Sequence, residues 1–154
     1  MTAKRFFLEI GTGNDLHGGD YTKAAVRAVE DALHHSSLTL FRSLGIDPNS
    51  MQIEATIGVQ QPDKVDQAAV KRVFPYGEVA VNVVKGGLDV PDDSGRDPTI
   101  VASAAVVVRL DPASSELRVV KLPTENARIR RMIVDARGKL WYMGSNNGHL
   151  GMVE

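Results

Sequence analysis

Cysteine is absent from the chain. Disulfides, thiol nucleophiles and cysteine-based zinc sites are therefore excluded, and the composition suits a reducing compartment. Aromatic side chains make up only 5% of the residues, with a single tryptophan, and the formal net charge is −1. No overall field draws such a chain to nucleic acid or to an anionic membrane. Long apolar runs are missing as well. The run after Lys4-Arg5 covers residues 6–10 and includes Glu9, too short for a bilayer span or a secretory signal. The expectation is a cytoplasmic protein with neither a nucleic-acid nor a membrane partner. There is no P-loop, and Gly11-x-Gly13 lacks the third glycine of a dinucleotide fingerprint.

What is present fits a globular domain. The 154 residues, 43% hydrophobic and 24% charged, suffice for one domain, or for a domain of about 100 residues with an appendage. Charge is uneven: residues 1–108 hold 10 basic and 14 acidic side chains, and residues 109–154 hold 8 and 5. The basic tail is poor in aromatics, so two solvated segments explain it better than a nucleic-acid patch.

The most distinctive stretch is 11–20, where four glycines, two carboxylates, one imidazole and one amide follow the apolar strand 6–10. Glycine is entropically costly, so several in one connection call for a backbone reason such as positive φ or close approach. A strand-to-helix turn is also where α/β layers hold ligands. Asp15, His17 and Asp20 can converge in three ways: as metal ligands (Asp15 and His17 first), as a proton-transfer pair with Asp15 fixing the His17 tautomer, or as an anion cradle of loop N–H groups. Asp20 opposes the last, because it competes for those same N–H groups. Gly11, Gly13, Gly18, Asp20 and Lys23 complete the candidate ligand-binding set, and the cofactor is left open. The plainer readings are that Asp20 caps a helix, Asp15 or Asn14 makes an Asx-turn, and His17 bonds a carbonyl.

From Asp20 onward, Ala24, Ala25, Ala28, Val29, Ala32 and Leu33 recur at helical spacing, with a narrow small-residue face suited to lying close on a sheet. Arg27 and Asp31 read as an i,i+4 pair on its other side. The pattern continues past His34-His35, a solvated pair, toward Leu44, and Gly45 and Pro48 end it. Residues 51–59 alternate as a half-buried strand. Pro62-Asp63 open a shorter helix with Val65, Ala69, Val70 and Val73 buried, and residues 79–84 and 99–110 form two more strands. Gly86-Gly87 and the run 91–98 read as a polar loop. The order β-α-β-α-β-β predicts an α+β layer with helices on one face. After residue 110 four short strands follow, at 116–122, 129–135, 140–144 and 149–153. Turn signals part them, Asn147-Gly148 among them. They amount to one four-stranded antiparallel, blade-like extension, too little to close a propeller ring. The division expected is a domain at 1–110 and an appendage at 111–154.

Gly11, Gly13, Asp15, His17 and Gly18 spell G-x-G-x-D-x-H-G. With Asp20-x-Thr22-Lys23-Ala24-Ala25, Pro75-Tyr76-Gly77 and Gly86-Gly87, residues 1–108 resemble the Lin-five-twelve family of conserved hypothetical proteins. That resemblance implies no particular activity. Its element order is similar to the repeated unit of cyanuric acid hydrolases and to small trimeric α+β proteins with ligands at subunit interfaces. Residues 109–154 resemble one blade of virginiamycin B lyase-like propellers, through Arg109-Leu110-Asp111-Pro112, Leu122-Pro123-Thr124, Val134-Asp135-x-x-Gly138-x-Leu140-Trp141 and Gly148-His149-Leu150-Gly151. Those lyases need a full ring and paired metal ligands, whereas His149 stands alone, so lyase activity is not carried over. Two functions are expected. One is a small homo-oligomeric hydrolase or lyase acting on a compact polar metabolite, with His17 and Asp15 in acid–base or metal-ligand roles. The other is a non-catalytic ligand-binding or assembly module whose β tail covers a sheet edge or bridges subunits.

Overall fold

The computed structural model describes residues 3–35, 41, 46–111, 122, 125, 128–144, 148 and 150–153. The chain divides into two compact units, Met1–Leu117 and Arg118–Glu154. The first is an α+β layer. Strand β1 (Lys4–Asp15) leads to helix α1 (Tyr21–His34), strand β2 (Gln52–Val59), a short helix α2 (Gln67–Lys71), and strands β3 (Glu78–Lys85), β4 (Leu88–Val90) and β5 (Thr99–Leu110). The sheet order is β1-β5-β2-β3, with β4 paired to β5. Strand β5 runs antiparallel to β1 and β2, and β3 is parallel to β2. The parallel pair is what obliges the α2 crossover. It follows that β1, β2 and β3 all finish at one edge of the layer, where α1 starts.

Alternation along β5 defines the two faces. Ile100, Ala102, Ala104, Val106, Val108 and Leu110 are buried, and with Ile53, Ala55, Ile57 of β2 and Ala24, Ala25, Ala28, Val29, Ala32 of α1 they form the core. Among the described residues the other face carries no helix, and it exposes Leu8, Ile10 and Leu88.

Two departures from the sequence reading concern glycine. Strand β1 continues through Gly11 and Gly13 to Asp15, paired with β5 down to Ile100, where a loop was expected from residue 11. These glycines face the helix. A Cβ on Gly11 would stand 2.3 Å from Ala28 O and 2.4 Å from Ala32 N, and one on Gly13 would stand 2.2 Å from Ala28 N and 2.3 Å from Ala24 O. The backbone reason for glycine here is thus the seating of α1. Strand β4 was also unforeseen. The chain passes from β3 to β4 across the end of β2, and Gly87 (φ +59) lies so close to Val101 O and Gly58 O that no side chain fits. Gln60 Nε2 holds the crossing by donating to Gly86 O (3.2 Å) and Gly87 O (2.9 Å).

Arg27 and Asp31 do not pair with each other. Each reaches the outer edge of β1: Thr12 N–H donates to Asp31 Oδ2 (2.8 Å), and Arg27 Nη1 donates to Asn14 O (2.6 Å). They blunt an edge strand that would otherwise offer unpaired backbone groups. The continuation of α1 toward Leu44 lies outside the described residues except for Phe41, which is buried. No helix among the described residues is long and apolar enough to cross a membrane.

The second unit contains an antiparallel sheet of β6 (Ile129–Val134), β7 (Leu140–Gly144) and β8 (Leu150–Val153), in that order. Asp135 closes its first hairpin by accepting from Arg137 N (2.8 Å), Lys139 N (3.0 Å) and Trp141 Nε1 (2.9 Å). The strand expected at 116–122 lies outside the described residues but for Leu122.

Because the atoms facing Gly13 are helix backbone, they cannot yield as a side-chain tip would. Gly13→Ala is expected to cost about 1–3 kcal/mol, the range for overpacking a tight interior. Denaturant unfolding checks it, and a loss below about 0.5 kcal/mol would show that the helix seat is soft.

Candidate functional site

The carboxyl ends of β1, β2 and β3 gather most of the polar chemistry of the first unit. Asp15, at the end of β1, is fully buried. Its Oδ2 accepts from Asp20 N (2.8 Å), and its Oδ1 meets the Lys23 ammonium at 2.6 Å. The Lys23 hydrogen bond chiefly, together with the Asp20 amide, holds its carboxyl below the usual range even though burial pulls the other way. Asp20 caps α1 by accepting from Lys23 N (2.9 Å), so its side chain has the ordinary role.

His17 points elsewhere. Its ring is 85% exposed, and Nδ1 lies 3.0 Å from Oδ2 of Asp97. Asp97 Oδ1 also accepts from Gly18 N (2.6 Å), and these two bonds, the amide first, hold its carboxyl below the usual range. An ionised carboxylate only accepts, so Nδ1 is the nitrogen that donates in this contact, and the rest of the ring faces solvent. The loop bearing Asp97 is itself tied: Asp92 Oδ1 accepts from Arg96 N (2.9 Å) and Asp97 N (3.1 Å). The hydrogen bond from the Ser94 hydroxyl first, and these amide bonds after it, lower the Asp92 carboxyl to about 2. Gly18 and Gly19 take positive φ, +96° and +64°, which the tight turn into α1 requires.

A third group was not anticipated. Tyr21 is buried at the first turn of α1, where its hydroxyl donates to Asp89 Oδ2 of β4 and accepts from Gln61 Nε2 at 2.8 Å. Burial first, and Asp89 second, push its phenol up to about 12. The Lys64 ammonium sits 5.4 Å from the Tyr21 ring centre. Asp89 Oδ1 is buried and accepts no hydrogen bond in the described structure. In the sheet, Asp15 and Asp89 are both partnered with Ile100, from opposite sides, so the two carboxylates flank one residue under the start of α1.

The residues expected to act together are therefore divided. Asp15, Asp20 and Lys23 form one set, His17 and Gly18 join Asp97 in another, and Gly11 and Gly13 lie under α1. Asp97 and Asp89 were missed because their partners are about 70–80 positions away. The only hint was the acidic density of 89–97. Among the described residues no three His, Asp or Glu side chains stand together as metal ligands, and the pairing of His17 with Asp15 as ligands finds no support in these partners.

Residues 5–108 match the family described as "Conserved hypothetical protein (Lin0512_fam)". A solved structure from Nostoc punctiforme, described as an FtsZ-like protein of unknown function, is 34% identical, with a TM-score of 0.63. The match covers 72% of this chain and 98% of that one. Comparison with curated proteins gave no match. Residues 109–154 lie beyond the family match.

Replacing Asp15 with Asn leaves Lys23 unpaired and one acceptor weakened, so a loss of about 1–3 kcal/mol is expected at pH 7. The folded Asp15 carboxyl lies below its unfolded value of 3.8. Its contribution is thus complete above about pH 4 and is lost as pH falls through the folded value. Asp92 and Asp97 act in the same direction. Denaturant midpoints between pH 7 and 2 should converge for Asp15→Asn and the parent chain as acid protonates Asp15. Parallel curves would rule out an ionised Asp15.

Proposed function

The chain belongs to this family of conserved hypothetical proteins, and from that premise we propose that its working centre is the loop cluster at the carboxyl ends of β1, β2 and β3. His17 is the acid–base group there, and Asp97, not Asp15, orients it. The observation that carries the reading is the Nδ1–Asp97 contact of 3.0 Å on a ring that is 85% exposed. A carboxylate behind Nδ1 fixes the tautomer and stabilises the imidazolium formed when Nε2 takes a proton, which is the arrangement general-base chemistry needs. Gly18, held by the same carboxylate, sets the loop that carries the ring.

Asp15 and Lys23 are positioning residues in this reading. The Lys23 charge is spent on Asp15, so a substrate anion is not its first partner. The substrate class that fits is a compact polar metabolite from which a proton is drawn, either through water, as in a hydrolase, or from an activated carbon, as in a lyase. Correct placement of such a group is worth about 10²–10⁴-fold in rate.

A second reading, assembly without catalysis, rests on the sheet face opposite α1, where Ile10, Leu88 and Leu8 are 62%, 60% and 43% exposed. Exposed apolar residues grouped on one sheet face mark an interaction surface, and a homo-oligomer would cover it. Light scattering separates the two. Ile10→Lys lowers the assembly mass if this face joins copies and leaves it unchanged if the protein is monomeric or assembles elsewhere.

The first reading is tested by nitrogen-detected NMR of the imidazoles at pH 8. His17 should be the Nδ1–H tautomer, and Asp97→Ala should convert it largely to Nε2–H. A screen of small carboxylates, amides and phosphate esters should then shift the Gly18 and Gly19 amides in the parent chain but not in His17→Ala. Shifts that persist unchanged without the imidazole would remove His17 from the site.

A further inference from the structure

The sheet of the first unit has two edges, and they are finished differently. At β1 outward backbone groups are taken, Thr12 N–H by Asp31 and Asn14 O by Arg27. The other edge is β3, eight residues reading Glu-Val-Ala-Val-Asn-Val-Val-Lys. Glu78 N–H donates to Met51 O, and Gly86 N–H donates to Val59 O. In a parallel ladder such bonds recur at every second residue, so the even-numbered residues turn their backbone toward β2. Val79, Val81, Val83 and Lys85 therefore turn N–H and C=O away from the sheet. Among the described residues nothing bonds to those groups.

Edge strands are ordinarily blunted by shortness, proline, a bulge or an inward charge. Strand β3 has no proline, its register with β2 is unbroken from Glu78 to Lys85, and its charges stand only at its two ends. Val81 and Val83 pack against the core, whereas Ala80, Asn82 and Val84 are exposed on the other face. The chain does not leave the sheet at this edge either. After α1, Phe41 packs against Phe6 of β1. After β5, the chain departs from Leu110 beside Lys4 of β1, with β2 still between β5 and β3.

This edge is complementary to itself. A two-fold axis normal to the sheet keeps each face on its own side, so odd residues meet odd and even meet even. The antiparallel register that engages all four outward residues centres on Asn82. It sets Val81 against the partner's Val83 and Val79 against the partner's Lys85, with about eight backbone hydrogen bonds exchanged. On the exposed face Ala80 meets the partner's Val84, and Asn82 meets the partner's Asn82 across the axis. That central position is a non-hydrogen-bonded pair, where side chains come closest. A carboxamide both donates and accepts, so two of them satisfy each other. Glu78 falls at the end where the partner's Lys85 lies, whereas a parallel approach would unite like charges.

From this geometry we infer that β3 is a docking edge for a second copy of this chain, joining two sheets into one across a two-fold axis. The contact is distinct from the Ile10 and Leu88 face. It sets the two His17 loops at opposite ends of the joined sheet, so it neither completes nor depends on that site.

Light scattering on the full chain at tens of micromolar should give the mass of two copies. Asn82→Lys and Asn82→Asp, both at an exposed position, oppose like charges across the axis, and each should weaken dimerisation about tenfold. An equimolar mixture of these two variants should recover the dimer as a Lys–Asp pair. Ile10→Lys, on the far strand, should leave the two-copy mass unchanged. A monomeric or trimeric parent would overturn the edge contact. So would a dimer indifferent to both charges, or one lost in Ile10→Lys and kept in Asn82→Lys. A mixture that stays monomeric would overturn the register centred on Asn82.

Discussion

The structure of the first unit depends on how near one helix backbone comes to one strand backbone. Ala24, Ala28 and Ala32 of α1 lie directly against Gly11 and Gly13 of β1, with helix N and O atoms where glycine Cβ atoms would be. Small residues contribute little apolar area singly. Their value lies in closeness, because dispersion falls off steeply once a gap opens between packed surfaces. The same approach brings Arg27 and Asp31 within reach of the β1 edge, where they satisfy backbone groups of Thr12 and Asn14. One contact thereby seats the helix, fills the core and protects an edge.

The start of that helix is fastened separately. Asp15 and Asp89 flank Ile100 in one row of the sheet and take, respectively, the Asp20 amide with the Lys23 ammonium, and the Tyr21 hydroxyl. A buried carboxylate is tolerated only when its partners offset desolvation, and here the partners are the first residues of α1. The loop between β1 and α1 is short and doubly anchored, and this is what holds Gly18 and His17 against Asp97. In this sense the buried ion pair supports the exposed dyad without touching it.

The two ends of α1 consequently differ in chemistry. At its start, strand ends and turns crowd titratable groups together, as expected where parallel strands finish. Toward its last turn the glycines give way to Phe7 and Glu9, and the described residues leave a largely apolar hollow beside Leu33 and Phe74.

Much of this was legible in the residues. The 3.6-residue recurrence of alanine from Ala24 predicts α1 and its narrow face, Asp20 announces the cap, and alternation at 51–59 and 99–110 marks two strands. Those signals are local, carried by neighbours within a turn or a pleat. Gly11 and Gly13 were misread as loop because glycine reports only that a side chain is unwanted, not whether a ligand, a turn or a helix excludes it. Strand β4 was hidden because three residues beside two glycines have no period to detect. Asp97, Asp89 and Gln61 were beyond reach, since their partners His17, Tyr21 and Gly18 lie 40–80 positions away. The amino-acid order alone determined where α1, β2 and β5 run and which stretch concentrates polar groups. Only the tertiary structure decided which carboxylate meets which base, because that follows from strand order and register, and those emerge when distant segments share one sheet.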